Sequence, residues 1–211
     1  MTINIKLYKN ILWLLVFGYF FVLMMQITLK YASFGSDAAF LQIKQTEVSE
    51  IPYYLSFFYI HVCCAIFALL AGFTQFNKYI LTKQPRIHRN IGKIYVFTIL
   101  FLAAPSGFVI GLYANGGFYS KIAFVLLSIL WFYFTLKGFI KIKNGNIISH
   151  KAFMMRSFAL TFSAITLRLW KVILVYLFQP SPIDLYQIVA WLGWIPNLLI
   201  VEFYIIKKFQ K

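Results

Sequence analysis

The sequence predicts an all-α integral membrane protein, a six-transmembrane-helix bundle forming one domain over residues 1–211. Three observations carry that expectation. The chain is 62% hydrophobic and only 12% charged, where a soluble domain carries about 25% charged residues. Apolar runs recur at 11–29, 53–76, 91–113, 122–140, 152–177 and 185–206, each near the ~20 residues that cross a hydrocarbon core. The cations then sort by side. Lys6 and Lys9, Lys78 to Lys93, Lys137 to Arg156, and Lys207 to Lys211 fall on one face of a six-span topology, against Lys30, Lys44 and Lys121 on the other. By the positive-inside rule both termini are cytoplasmic.

The net charge of +15 is therefore loop bias and attraction to anionic headgroups, with the lipid bilayer as partner and no nucleic acid implied. Asp37, Glu47, Glu50 and Asp184 fall outside the runs on the opposite side.

The first run follows two lysines as a signal peptide would. It is longer than an h-region of about 7–15 residues and no small-x-small site follows, so it reads as a retained helix. The second run carries His61. At helical spacing His61, Ala65, Ala68, Gly72 and Gln75 share a face, and small residues on one face mark the side on which membrane helices approach. Bonding of His61 to a neighbouring helix is the plainer reading, a ligand site the sharper one. Cys63 and Cys64 are adjacent, lack zinc spacing and read as small packing residues.

The third run opens after His88 and Arg89 and contains Ala104-Pro105-Ser106-Gly107, where proline frees a carbonyl and kinks the helix. The fifth has the longest polar stripe: His150, Met154, Ser157, Thr161, Ala164, Arg168 and Lys171 follow three- and four-residue steps. Lys171 reads as a snorkelling lysine, while Arg168 lies deeper. Ionisable groups in lipid face a bundle interior, a water cavity or a ligand. The helices hold one acid, Glu202, at the end of the sixth run away from Arg168. Arg168 then needs a backbone carbonyl, an outward-side acid, water, or an anionic small molecule. The sixth run carries Gly193-Trp194-Ile195-Pro196-Asn197, a second kink. Helices 2–3 and 4–5 each bring a histidine and a cation to a helix start, His88-Arg89 and His150-Lys151, a pattern expected of a parallel repeat.

Two sets of candidate residues follow. His61, Gln75, Tyr95, Ser106, Ser157, Thr161 and Arg168 are expected around a ligand cavity. His88 and His150, with Arg89, Met154, His61 and Arg168 near, are candidates for cofactor binding. Haem b can sit between histidines of facing helices, with cations on its propionates. Three histidines at two depths without a carboxylate beside them do not make a metal site, and no nucleophilic triad shares a depth.

The stretches Arg86-Ile87-His88-Arg89-Asn90-Ile91-Gly92-Lys93-Ile94-Tyr95, Ser106-Gly107, His150 to Thr161 and Thr166-Leu167-Arg168-Leu169, with His61, Gly72 and Gln75 ahead of them, resemble a bacterial family of predicted membrane proteins, domain of unknown function 2306. The likeness covers about 53–170. One departure is His150-Lys151-Ala152-Phe153-Met154, where relatives often read His-Arg-x-Trp-Met. The resemblance implies a multi-helix protein of the bacterial inner membrane and brings no activity. Three readings of function stand beside one another: a haem b or quinone electron-transfer protein, a carrier for a small or lipid-like solute, and a structural or regulatory membrane protein without catalysis.

Overall fold

The computed structural model describes residues 5–209, with some side chains of the first helix and that of Lys78 outside the description. The expected cytoplasmic Lys211 lies outside the described residues, as do the side chains of Lys6 and Lys9. Every regular element among the described residues is helical. In order they are α1 (Ile5–Leu29), a 3₁₀ turn (Ala39–Ile43), α2 (Gln45–Glu50), α3 (Tyr54–Gln75), α4 (Lys78–Lys83), α5 (Pro85–Phe97), a π turn (Thr98–Ala103) and α6 (Ala104–Leu112). Then come α7 (Gly117–Lys143), α8 (Ile147–Thr161), α9 (Ser163–Phe178), α10 (Pro182–Leu192) and α11 (Ile195–Phe209).

Among the described residues four helical stretches are long and apolar enough to cross a membrane: Tyr54–Gln75, Pro85–Leu112, Gly117–Lys143 and Pro182–Phe209. The pair Ile147–Thr161 and Ser163–Phe178 makes a fifth if its 41° bend is taken within one span. The described part of α1 adds a shorter apolar helix, Gly18–Leu29.

Successive spans reverse direction, so the bundle has two unlike ends. One is covered by residues 30–53, including the 3₁₀ turn and α2; it is called the capped end here. The other carries Lys83, Arg86, Arg89, Lys93, Lys141, Lys143, Lys151, Lys207 and Lys208 and is the basic end. Local signals make the reversals. The Asn77 side chain accepts from the Tyr79 and Ile80 amides to start α4, and Asn146 accepts from Ser149 to start α8, each satisfying orphan amides of a first turn. Between α6 and α7 the chain turns through Gly116 at φ 80° and Gly117 at φ 74°, a region that favours glycine.

The α3 face read from sequence is inward in part: Ala68 is fully buried, Gly72 is buried, and Phe67 points out. Ile66, Leu69 and Ala71 are buried too, so the packed face is broader than the small-residue stripe. A Cβ on Gly72 would stand 2.5 Å from the Phe158 ring, so glycine is what lets α3 meet α8.

Two spans are broken, and the breaks meet. The spacing in the fifth run predicts one stripe from His150 to Lys171; α8 instead stops at Thr161 and α9 leaves at 41°. No proline or glycine sits there. Asn197 of α11 donates to the Ala159 carbonyl at 3.2 Å, which places a side chain in the backbone ladder, a known cause of kinks. Thr161 and Thr166 bond back to Ser157 and Phe162, and such back-bonding bends helices. At the second break, Gly193 offers its carbonyl to Thr166 Oγ1 and to Asn197 Nδ2. Pro196 supplies no amide there. Asn197 Nδ2 also reaches Thr166 Oγ1 at 2.9 Å.

Candidate functional site

The third span builds the inner wall of a cavity. Its π turn and Pro105 disturb the backbone ladder at adjacent places, and π turns collect at functional sites. Side chains take the carbonyls in that stretch: Ser106 Oγ donates to Leu102 and Ala103, and His61 Nδ1 meets the Ala103 carbonyl at 2.9 Å. A carbonyl only accepts, so Nδ1 carries the proton. The neutral ring then presents a bare lone pair at Nε2. Gly107 makes room for this ring. A Cβ there would stand 2.9 Å from His61 Cε1 and 3.1 Å from Ser128 Oγ.

Beyond His61 lies a cavity of about 170 Å³, bounded by α3, α6, α7, α10 and the cap. Tyr54, Phe58 and His61 line it from successive turns of α3, joined by Phe40, Phe124 and Tyr186. Ser128 sits beside His61 on the wall and spends its proton on the Phe124 carbonyl at 3.0 Å.

Lys44 lines the capped end and is 1% exposed. It is held by Glu47 and by the Tyr113 carbonyl. Burial raises the Glu47 carboxyl, but the hydrogen bond from Lys44, a backbone bond and the lysine charges outweigh it, so Glu47 titrates below its ordinary value.

Of the residues expected around a cavity, His61 lines this one. Arg168 does not line it, although its charge reaches His61 and Tyr31. Arg168 donates to the Ala164 carbonyl, one of the partners open to it from sequence. Tyr95, Ser157 and Thr161 bond to one another. The Tyr95 hydroxyl is 2.8 Å from both Ser157 and Thr161, Trp131 Nε1 donates to Thr161 at 2.9 Å, and Thr135 joins Ser157 at 2.7 Å. These groups are buried in the middle of the bundle. Gln75 lies at the other end of α3, with Nε2 on Thr74 and Oε1 against Gly92.

The cofactor candidates are at the basic end, except His61 and Arg168. His150 Nδ1 donates to the Gly138 carbonyl at 2.8 Å. His88 is within electrostatic reach of His150, and its buried Nδ1 has no partner. Arg89 is exposed on α5, and Met154 packs on Gly138. Neither His88 nor His150 lines the capped-end cavity or a second, apolar cavity of about 450 Å³ walled by Phe20, Phe73, Phe158 and Phe162 with Asn197 at its edge.

Two groups escaped the sequence reading. Lys44 was grouped only as an opposite-side cation, and its apolar neighbours Phe40, Leu41 and Val48 hinted at a buried cap. Arg156 and Glu202 form a two-pronged ion pair, with Arg156 NH2 2.7 Å from Glu202 Oε2 and its guanidinium over Phe153. Their common depth at the basic ends of two spans was the available signal.

No curated protein and no solved structure shows detectable similarity to the chain. A family model described as predicted membrane protein (DUF2306) matches residues 58–205, which takes in Phe58 and His61 on α3 and the cavity walls on α6, α7 and α10, begins inside the 53–170 likeness and extends beyond it into the last span. The chain belongs to this family of membrane proteins.

Proposed function

We propose that the chain is a membrane-embedded binding protein for a small ring-bearing molecule of the quinone head-group class. The cavity beneath the cap carries this reading. Its volume, about 170 Å³, compares with the roughly 150 Å³ of an apolar cavity that holds benzene. Aromatic walls with a few placed polar groups are the usual make-up of ligand sites. The size suits one ring and not a porphyrin, which separates this reading from a haem in the same place.

The proposal includes six spans, with α1 as the first, in a bacterial inner membrane. The concentration of lysine and arginine at the basic end supports placing that end, and both termini, in the cytoplasm. The capped cavity then faces outward. A parallel repeat of helices 2–3 and 4–5 has some support in the interruption of the second member of each pair, at the π turn and at the 41° bend.

One observation favours a carrier as the second reading. The breaks in the last two spans meet at mid-bundle and share Thr166 and Asn197, and discontinuous helices line many transport sites. Solute flux into proteoliposomes separates a carrier from a binder.

The binding reading is tested by calorimetric titration of one-ring compounds into the protein in nanodiscs. The wild type is expected to take up one ring per chain. Leu127 of α7 also lines the cavity, and Leu127→Trp, which fills it, is expected to take up none. Equal uptake by both proteins, or none by either, contradicts the reading.

A further inference from the structure

We infer that the ligand of the capped-end cavity is a hydroxylated ring, a quinol or phenol, bound in preference to the corresponding quinone. This deepens the binding reading above and rests on it. Three features of the cavity lead to it.

The inner end of the cavity offers acceptors only. The His61 proton is committed at Nδ1 to Ala103, which leaves Nε2 as a lone pair with no partner among the described residues. The Ser128 proton is committed to Phe124, which leaves its oxygen as an acceptor. The two groups are neighbours around Gly107, where one Cβ would touch both.

Among the described residues no acid acts on His61; Ser128, apolar walls and the charge of Arg168 are what it meets. A charged ring without a partner is costly in such surroundings, so the site stabilises neutral imidazole. A ring hydroxyl placed there donates to Nε2. A ring carbonyl meets lone pairs with lone pairs.

The donors on the lining gather toward the cap: Lys44, and the hydroxyls of Tyr54 and Tyr186, which interact electrostatically with each other and, for Tyr54, with Glu47. Lys44 is anchored at the Tyr113 carbonyl and His61 at the Ala103 carbonyl. Ten residues of helix separate those carbonyls, roughly 15 Å along the axis. A single ring against His61 leaves Lys44 beyond direct contact, so the acceptors at His61 and Ser128 set the preference for a hydroxyl over a carbonyl at the inner end. A substituent pointing up the cavity is free to reach Lys44.

The experiment compares methylhydroquinone, methylbenzoquinone and the dimethyl ether of methylhydroquinone by anaerobic calorimetric titration into the full chain in nanodiscs. Methylhydroquinone is expected to bind at least about tenfold tighter than the other two, as one hydrogen bond against an unmet acceptor implies. His61→Phe keeps the ring-lined space and removes the acceptor; it is expected to bind all three alike, at the level of the ether. His61→Gln restores an acceptor beside a donor for Ala103 and is expected to recover part of the preference.

Equal binding of the three by the wild type, or tighter binding of the quinone, overturns the inference and leaves the binding reading intact. Persistence of the preference in a folded His61→Phe protein overturns the role of His61. Failure of all three to bind overturns the inference together with the reading beneath it.

Discussion

Two polar clusters lie on the inward faces of this bundle, and they differ in what they leave unmet. In the middle, Tyr95, Ser157, Thr161, Trp131 and Thr135 close on one another, and each donor finds an acceptor within 3.0 Å. Toward the cap, His61 and Ser128 spend their protons on backbone carbonyls and line a cavity. Hydroxyls and a histidine on apolar helices look alike in a sequence. Closure makes the first cluster structure, and an unspent acceptor beside open volume makes the second the proposed site. Dry, satisfied networks specify a unique packing, whereas ligand sites keep a few polar groups aimed at open volume.

The contrast gives four expected outcomes. The largest belongs to the closed cluster. Trp131→Ala removes a buried ring and the donor to Thr161, and is expected to cost about 3–5 kcal/mol, read as a lowered midpoint in detergent-dependent unfolding. Retention of the wild-type midpoint would mean that the cluster does not hold the bundle. Tyr95→Phe is milder. It leaves Ser157 and Thr161 short of a partner, for roughly 1–3 kcal/mol, and is expected to leave ring affinity unchanged because Tyr95 does not line the capped cavity. A parallel loss of affinity would merge the two clusters into one functional unit.

Gly107→Ala acts in the opposite sense. The added methyl enters the space of His61 and Ser128, so methylhydroquinone affinity is expected to fall about tenfold, or ~1.4 kcal/mol, with a smaller change in unfolding midpoint than Trp131→Ala gives. Undiminished affinity would place the ring elsewhere.

The smallest effect concerns the cap. The Glu47 carboxyl titrates below its unfolded value in the folded chain. Its contribution to stability is therefore fully present above an unfolded value of about 4.3 and lost as pH falls through the folded value. Glu47 is partly exposed above the buried Lys44, so the expected change is a modest loss of cap protection in amide exchange on acidification. Glu47→Gln is expected to remove that dependence, and an identical pH profile in the variant would assign the change to another group.

Much of the scaffold was readable from composition and charge. Runs of apolar residues and alternating lysine-rich loops mark the spans because lipid tolerates little else. His61 stood out because a histidine in such a run needs a reason. Other features were not readable because they depend on partners distant in sequence. Thr161-Phe162-Ser163 holds neither proline nor glycine to announce a 41° bend; beside the Thr161 back-bond, the side chain that takes the Ala159 carbonyl is Asn197, on another span. The stripe from His150 to Lys171 includes residues of three fates: a bond to the α7 backbone for His150, a closed network for Ser157 and Thr161, and a bond to its own helix for Arg168. Periodicity identifies a face, and only tertiary packing decides which of its polar groups are already satisfied. Lys44 was hidden for a related reason, since its burial comes from the fold of residues 30–53 over the bundle.

The most direct test is to locate a ring in the protein. Crystals of the full chain soaked with 4-bromophenol would carry an anomalous scatterer on a one-ring probe. A bromine peak in the cavity bounded by Gly107, Phe124 and Tyr186, with the phenol oxygen on His61 Nε2, is the expected result. A peak confined to the Phe73–Phe158 groove or the lipid-facing surface, with the His61 cavity empty at saturating probe, would contradict it.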